Sequence, residues 1–300
     1  MKLFQNSIKL FFLSCTFILI SNQIKAQNFA MNGKTPLAIN PAFTGITDFG
    51  RLGITGNKFP VLENYESNFY AGYDAYISKL KGGVGFYNSN RIISNFYRNS
   101  YYALSYAYQN KINDKWSYSL GANVKLNESV TNWNNIVIVS SQAPFPFGKV
   151  KQYGLYFTLG GLIYSDKWFL GYALADVMPN QSFTASKSNI NFGRTFTFKN
   201  IKDLSLTTSI YMSLRHNGWT YMDLQTVAKY KFMYLGAKIG ETGFAFQTGA
   251  NFNRFRLIYS LDNSISKLVN TGLFSHEIAL QVKLPNTINR NSKAFKHLIY

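Results

Sequence analysis

Between Trp116 and Leu126 the chain alternates apolar with polar or small residues, Trp-Ser-Tyr-Ser-Leu-Gly-Ala-Asn-Val-Lys-Leu. Segments of this kind recur along most of the sequence. Side chains of a strand point to opposite faces with a period of two, so each segment has one greasy face and one wet face. A soluble sandwich must bury all its greasy faces in a core, whereas a closed barrel can present them to lipid. The remaining features of the chain select the barrel.

The first residues, Met1 to Lys9, are short and basic, and an apolar run from Leu10 to Ile20 follows, then a polar stretch ending Ile24-Lys25-Ala26. This is the layout of a secretory signal, with cleavage expected after Ala26, and the run is shorter than the ~18 apolar residues of a spanning helix. No later stretch reaches that length. Cys15, the single cysteine, lies inside the apolar run. The alternative reading as a lipoprotein site is weakened by the poor lipobox Phe12-Leu13-Ser14. A mature chain without cysteine has no disulfides, no thiolate metal site and no cysteine nucleophile.

The whole chain carries 31 Lys and Arg against 13 acids, a net +18, which becomes +15 once Lys2, Lys9 and Lys25 leave with the signal. The basic residues are scattered singly through strands and turns, so no nucleic-acid arm is expected. Aromatics make up 17% of the residues, and outer-membrane barrels carry aromatic girdles at both interfaces.

Alternation and turn residues predict fourteen strands, at 51–59, 67–77, 83–87, 97–109, 116–127, 154–164, 167–175, 190–198, 204–215, 221–231, 233–239, 244–253, 254–262 and 276–284. The expected fold is therefore all-β, a single antiparallel transmembrane barrel of outer-membrane type spanning 50–284. An irregular segment at 27–49 would precede it and pack against the barrel or plug its mouth, and a basic tail at 285–300 would follow. The three longest connections, 128–153, 176–189 and 263–275, all follow odd-numbered strands, while those after even strands are short. Short turns face the periplasm and long loops the exterior in such barrels, so the parity also predicts orientation. A propeller or sandwich would carry a blade-length repeat, and none is found.

Several segments resemble the PorP/SprF family of outer-membrane proteins of type IX secretion and gliding machinery. They are the opening Asn40-Pro41-Ala42-Phe43-Thr44-Gly45, Tyr73-Asp74, Gly82-Gly83-Val84-Gly85, the hairpin Tyr164-Ser165-Asp166-Lys167-Trp168-Phe169-Leu170-Gly171, and the closing His276-Glu277-Ile278-Ala279-Leu280. The resemblance spans essentially the whole mature chain. It implies a non-enzymatic outer-membrane component with no cofactor. That component would either anchor the periplasmic ring through its lipoprotein or support secretion and surface attachment of a large adhesin. Two departures are visible: Asn88 and Asn90 stand where family members often have an aspartate, and the tail ending Lys296-His297-Leu298-Ile299-Tyr300 lacks the usual cysteine-proline ending. The alternative function is a passive porin or hydrophobic-solute channel.

Individual motifs have both plain and functional readings. Asn40 to Gly45 reads as a partner motif or, more simply, a turn built from Asn, Pro and Gly. Asp74 shares its strand face with Tyr70, Gly72 and Tyr76, which places it in the lumen with an Arg or Tyr partner. Gly82, Gly83 and Gly85 precede a strand rather than a helix, so they read as a turn with curvature, not a phosphate loop. His216, His276 and His297 lack metal-ligand spacing, and the pair His216 and Asp223 has no serine or second carboxylate to complete a catalytic group. In the fifth connection, Trp133, Phe145 and Phe147 either form a protein-binding surface or fold inward over the pore.

Overall fold

The computed structural model describes residues 34–61, 64–135, 148–178, 186–198, 200–215, 220–240, 243–264 and 274–285. A short helix α1 (Pro36–Ile39) and a 3-10 turn (Pro41–Phe43) lead into the strands β1 (Gly50–Val61), β2 (Asn64–Ile77), β3 (Gly82–Ile93), β4 (Tyr97–Lys111) and β5 (Ser117–Asn132). They continue as β6 (Lys149–Tyr164), β7 (Trp168–Val177), β8 (Lys187–Thr197), β9 (Leu204–Arg215) and β10 (Thr220–Tyr230). The last four are β11 (Met233–Gly240), β12 (Gly243–Phe252), β13 (Phe255–Ser264) and β14 (Ser275–Leu284). Each strand pairs antiparallel with its sequence neighbours, and β1 pairs with β14 from Gly50↔Leu284 to Lys58↔His276. The sheet is a closed barrel of fourteen strands. No helix among the described residues is long and apolar enough to cross a membrane.

The alternation in sequence is an alternation of sides. On β4, Tyr102, Leu104 and Tyr106 point outward and are exposed, while Ala103, Ser105 and Ala107 point inward and are buried. On β5 the outward row is Leu120, Val124 and Leu126 and the inward row Ser119, Asn123 and Lys125. The greasy rows therefore face outward all round, as a lipid-exposed wall requires, and the polar rows line the interior.

Three strands run five or more residues further than alternation suggests. β3 reaches Ile93 rather than stopping at 87, β5 reaches Asn132 rather than 127, and β6 begins at Lys149 rather than 154. The ladder persists through Asn88↔Tyr102 and Glu128↔Tyr153 because backbone pairing is indifferent to side-chain polarity. Where both faces are polar, period-two contrast disappears while the strand does not. The connection after β5 is shortened accordingly, to 133–148. All connections after even strands are tight, so one rim of the barrel carries only short turns.

Candidate functional site: the filled lumen

Inside the barrel lies the segment 34–49, and it is almost wholly buried. Leu37, Asn40, Ala42, Phe43, Thr44 and Ile46 are each 4% exposed or less. Its backbone folds tightly: α1 ends with the Asn40 N–H donating to the Pro36 carbonyl at 3.0 Å, and the Asn40 side chain accepts from the Ala42 N–H at 2.9 Å. Pro36 and Pro41 each open a helical turn, where a missing N–H costs nothing. Gly45 then takes φ +59, a left-handed conformation that L side chains rarely adopt.

This plug is held by inward-facing groups from most of the wall. Arg51 on β1 donates to the Phe43 carbonyl at 2.9 Å, Gln109 on β4 to the Thr44 carbonyl at 2.7 Å, and Ser119 on β5 to the Ala42 carbonyl at 2.7 Å. Asn189 on β8 donates to the Ile39 carbonyl at 3.1 Å. The Asn40 amide in turn donates to the carbonyls of Gly161 on β6 and Tyr172 on β7, both at 3.2 Å. Backbone carbonyls buried without water need partners, and these side chains supply them.

Glycines of the wall make the close approach possible. A Cβ on Gly83 would sit 2.1 Å from the Thr44 carbonyl oxygen, one on Gly121 2.4 Å from backbone atoms of Pro41 and Ala42, and one on Gly160 2.0 Å from the Asn40 Oδ1. Gly171 faces the Asn40 amide at 3.1 Å on the same basis. The apolar side of the plug packs Ala42, Phe43 and Ile46 against Leu162, Tyr164 and Phe169, and Leu37 against Tyr70, Tyr87 and Ala103.

Two ionic contacts fix the ends of the plug. Asp74 on β2 takes a bidentate fork from Arg51, Nε to Oδ1 at 2.8 Å and Nη2 to Oδ2 at 2.6 Å, and its Oδ2 also accepts the Gly45 N–H at 2.5 Å. At the other end, the Lys34 ammonium donates to Glu277 on β14 and Ser260 on β13. Burial pushes Lys34 below its ordinary value against the opposing pull of Glu277. On the long-connection side, a register shift between Phe157 and Leu159 turns Asp176, at φ 59, toward Lys125 and Lys187, the latter at 2.9 Å. Across β10 to β13 the interior closes on its own side chains: Asp223, Gln225, Lys238, Gln247 and Asp262 are each 6% exposed or less. A cavity of about 20 Å³ between Lys34, Leu37, Tyr70 and Gln281 has room for about one water.

The residues singled out from sequence divide into two groups. Asn40, Pro41, Gly45, Asp74, Gly83, Gly171 and Glu277 converge on the plug, whereas Gly82 has outward parity on β3, where a Cβ would meet the Ala107 carbonyl and the Tyr106 ring of β4. Tyr73, Trp168 and His276 lie on the outer surface instead. Tyr73 is 42% exposed, Trp168 stacks under the Arg194 guanidinium at 4.3 Å, and His276 Nδ1 lies 2.7 Å from the Tyr259 hydroxyl. Asp166 sits in the short turn between β6 and β7. Trp133 opens the connection after β5, its N–H donating to the Gly148 carbonyl at 2.9 Å. Phe145, Phe147, His216, His297, the expected signal at 1–26 and the tail at 286–300 lie outside the described residues. No group of His, Cys, Asp and Glu able to hold a metal occurs among the described residues.

Sequence reasoning passed over Lys34, Arg51, Gln109, Ser119, Gly121, Gly160 and Asn189. Inward parity on their strands marks all but Lys34 as lumenal, but no strand pattern reveals which lumenal residues meet a plug. Lys34 precedes any alternation, so nothing local assigns it a face.

A family model described as type IX secretion system membrane protein PorP/SprF matches residues 21–282. No curated protein matches the chain in sequence. Among solved structures, the fold resembles a FadL homologue of Pseudomonas aeruginosa, 11% identical, with 88% of this chain and 100% of that one covered and a TM-score of 0.50. It also resembles the Pseudomonas putida toluene transporter TodX, at 9% identity, 89% and 100% coverage and a TM-score of 0.50. A TodX deletion mutant described as a monoaromatic hydrocarbon channel gives 11% identity, 89% and 98% coverage and a TM-score of 0.51. These likenesses concern the barrel architecture alone.

Proposed function

Since the chain belongs to the PorP/SprF family of type IX secretion system membrane proteins, we propose that it acts in the outer membrane as a non-conducting scaffold of that machinery. It either anchors the periplasmic ring through the ring lipoprotein or supports secretion and surface attachment of a large adhesin. The short-turn rim, with Asp166, faces the periplasm and the long connections face outward. The observation that supports a scaffold over a pore is the filled lumen. A plug tied by Arg51, Asp74, Gln109, Ser119 and Asn189, with Lys34 latched to Glu277, occupies the bore and is bonded to the wall around it. On the outer side, Trp133 and the loop carrying Phe145 and Phe147 form the contact for a partner, because aromatic anchors commonly dominate interface energy.

The test is a clean deletion. Secretion, adhesin display or motility is expected to fail, and complementation with Phe145 and Phe147 both replaced by Ala should restore the barrel but not the partner. A strain that secretes and moves normally yet loses permeability to a small solute would establish the second reading, a porin or hydrophobic-solute channel.

A further inference from the structure

The outward rows of the strands are free of charge over the short-turn half of the wall, with one exception. Among the described residues of that half, Arg194 on β8 is the one charged side chain with outward parity. Other outward charges, such as Lys58, Arg98 and Lys151, stand toward the opposite rim. Arg194 pairs across the ladder with Trp168, the first residue of β7. Its guanidinium carbon lies 4.3 Å from the Trp168 ring centre and 4.6 Å from that of Phe196. Two aromatic rings thus hold the fork by cation–π contact, which leaves its positive charge in place. The buried Nε has no hydrogen-bond partner, and no ion pair among the described residues includes Arg194. The flanking turns, 165–167 and 198–203, carry Lys167, Lys199 and Lys202 against Asp166 and Asp203, so the neighbourhood is basic as well.

The same two strands run on into the membrane as an apolar column. Beyond the Trp168↔Arg194 pair come Leu170↔Phe192 and Tyr172↔Ile190, and Leu170, Tyr172 and Phe192 are all exposed on the outer wall. Phe192 also packs on Trp168, with 5.5 Å between ring centres. A cation at the rim with an apolar track leading away from it has the polarity of a phospholipid. We infer that Arg194, held between Trp168 and Phe196, binds the phosphodiester of an anionic phospholipid of the periplasmic leaflet, whose acyl chain lies along Leu170, Phe192 and Tyr172. An unpaired charge facing lipid is unfavourable, and ionisable residues at membrane depth as a rule have a functional partner. The planar fork matches two phosphate oxygens, and girdle aromatics sit at headgroup level. A zwitterionic headgroup brings an ammonium that the basic turns repel. An acidic protein segment fits poorly, because outward parity puts the fork on the bilayer side of the wall. The site goes beyond the secretion reading and rests on the barrel's lying in a bilayer; only the choice of leaflet follows from the proposed orientation.

The test titrates dioleoyl phosphatidylglycerol into the full chain in uncharged detergent micelles and counts bound lipid by native mass spectrometry. Arg194→Gln is expected to weaken the first binding event at least about tenfold, as loss of a bidentate charge-assisted bond does. Arg194→Lys should recover part of the loss. Lys79→Gln, which removes a rim charge away from the column, should leave binding within about twofold of the native chain, since scattered rim charges contribute little. Heat-modifiable gel mobility of each variant verifies a closed barrel. Equal binding by Arg194→Gln overturns the site. So does displacement of the lipid by glycerol phosphate at equal concentration, which would indicate a small-anion site with no use for the column, or equal affinity for dioleoyl phosphatidylcholine. A deletion strain with intact secretion would refute the scaffold reading while leaving the lipid titration unaffected.

Discussion

Asp74 carries two tasks with one carboxylate. It neutralises Arg51 inside the barrel, and it accepts the Gly45 N–H where the plug turns back toward β1. Both side chains of the pair are 9% exposed or less, so removing one partner strands a desolvated charge. Asp74→Ala should therefore destabilise the barrel by about 3–5 kcal/mol, read as a lower midpoint for the heat-induced shift in gel mobility. Adding Arg51→Met should recover much of the loss, because two apolar groups leave no buried charge. An unchanged midpoint in the single variant would show that Asp74 is solvated in the folded protein. Asp74 was legible in sequence from its strand face alone, since a carboxylate opposite a greasy row has to be lumenal. Its partner was not, because Arg51 lies 23 positions away and the pairing follows from the β1–β2 register.

At the scale of elements, the plug presses its backbone against β3 and β5 and the side chains of Asn40 and Pro41 against β6. Gly83, Gly121 and Gly160 are the positions where a side chain would collide with residues 40–45. Gly121→Val is expected to unseat the plug while the strand ladder survives, since Gly121 lies mid-strand with Ala107 and Gly160 as its pairing partners. In a planar bilayer the variant should show steady conductance where the native protein shows little. Conductance equal to that of the native chain, with the barrel closed, would mean the segment does not control the lumen. Strand count and order were readable because lipid on one side and polar groups on the other enforce period two. Strand ends were not readable at Ile93, Asn132 and Lys149, where both faces meet water and the contrast vanishes. Gly83 reads locally as a turn or curvature residue and Gly121 and Gly160 carry no motif, because close approach by a distant segment leaves no trace in local sequence.

For the whole molecule, closure and parity set the orientation. The turns after even-numbered strands, all short, gather on one rim, and the long connections after β5, β7 and β13 gather on the other. An epitope inserted near Ala143 should be reached by antibody on intact cells, and one near Asp166 only after the outer membrane is opened. The reverse pattern would invert the topology. Basic residues that composition presents as a diffuse excess are sorted in space. Lys34, Arg51 and Lys125 face acids across the interior, whereas Lys229 and Lys231 lie over the Tyr234 and Tyr230 rings. Net charge alone conveys nothing of that sorting.

The latch between Lys34 and Glu277 joins groups 243 positions apart, one ahead of the first strand and the other on the last. A chain delivered N-terminus first presents its lysine long before the carboxylate that receives it exists. Until β14 arrives and zips to β1, the lysine has no counter-ion and the plug no final seat. Sealing the wall and stoppering the bore are thus one step of assembly. A stalled intermediate is necessarily a leaky one, with its unpaired strand edges and its loose N-terminal segment offered together to whatever factor finishes or destroys it.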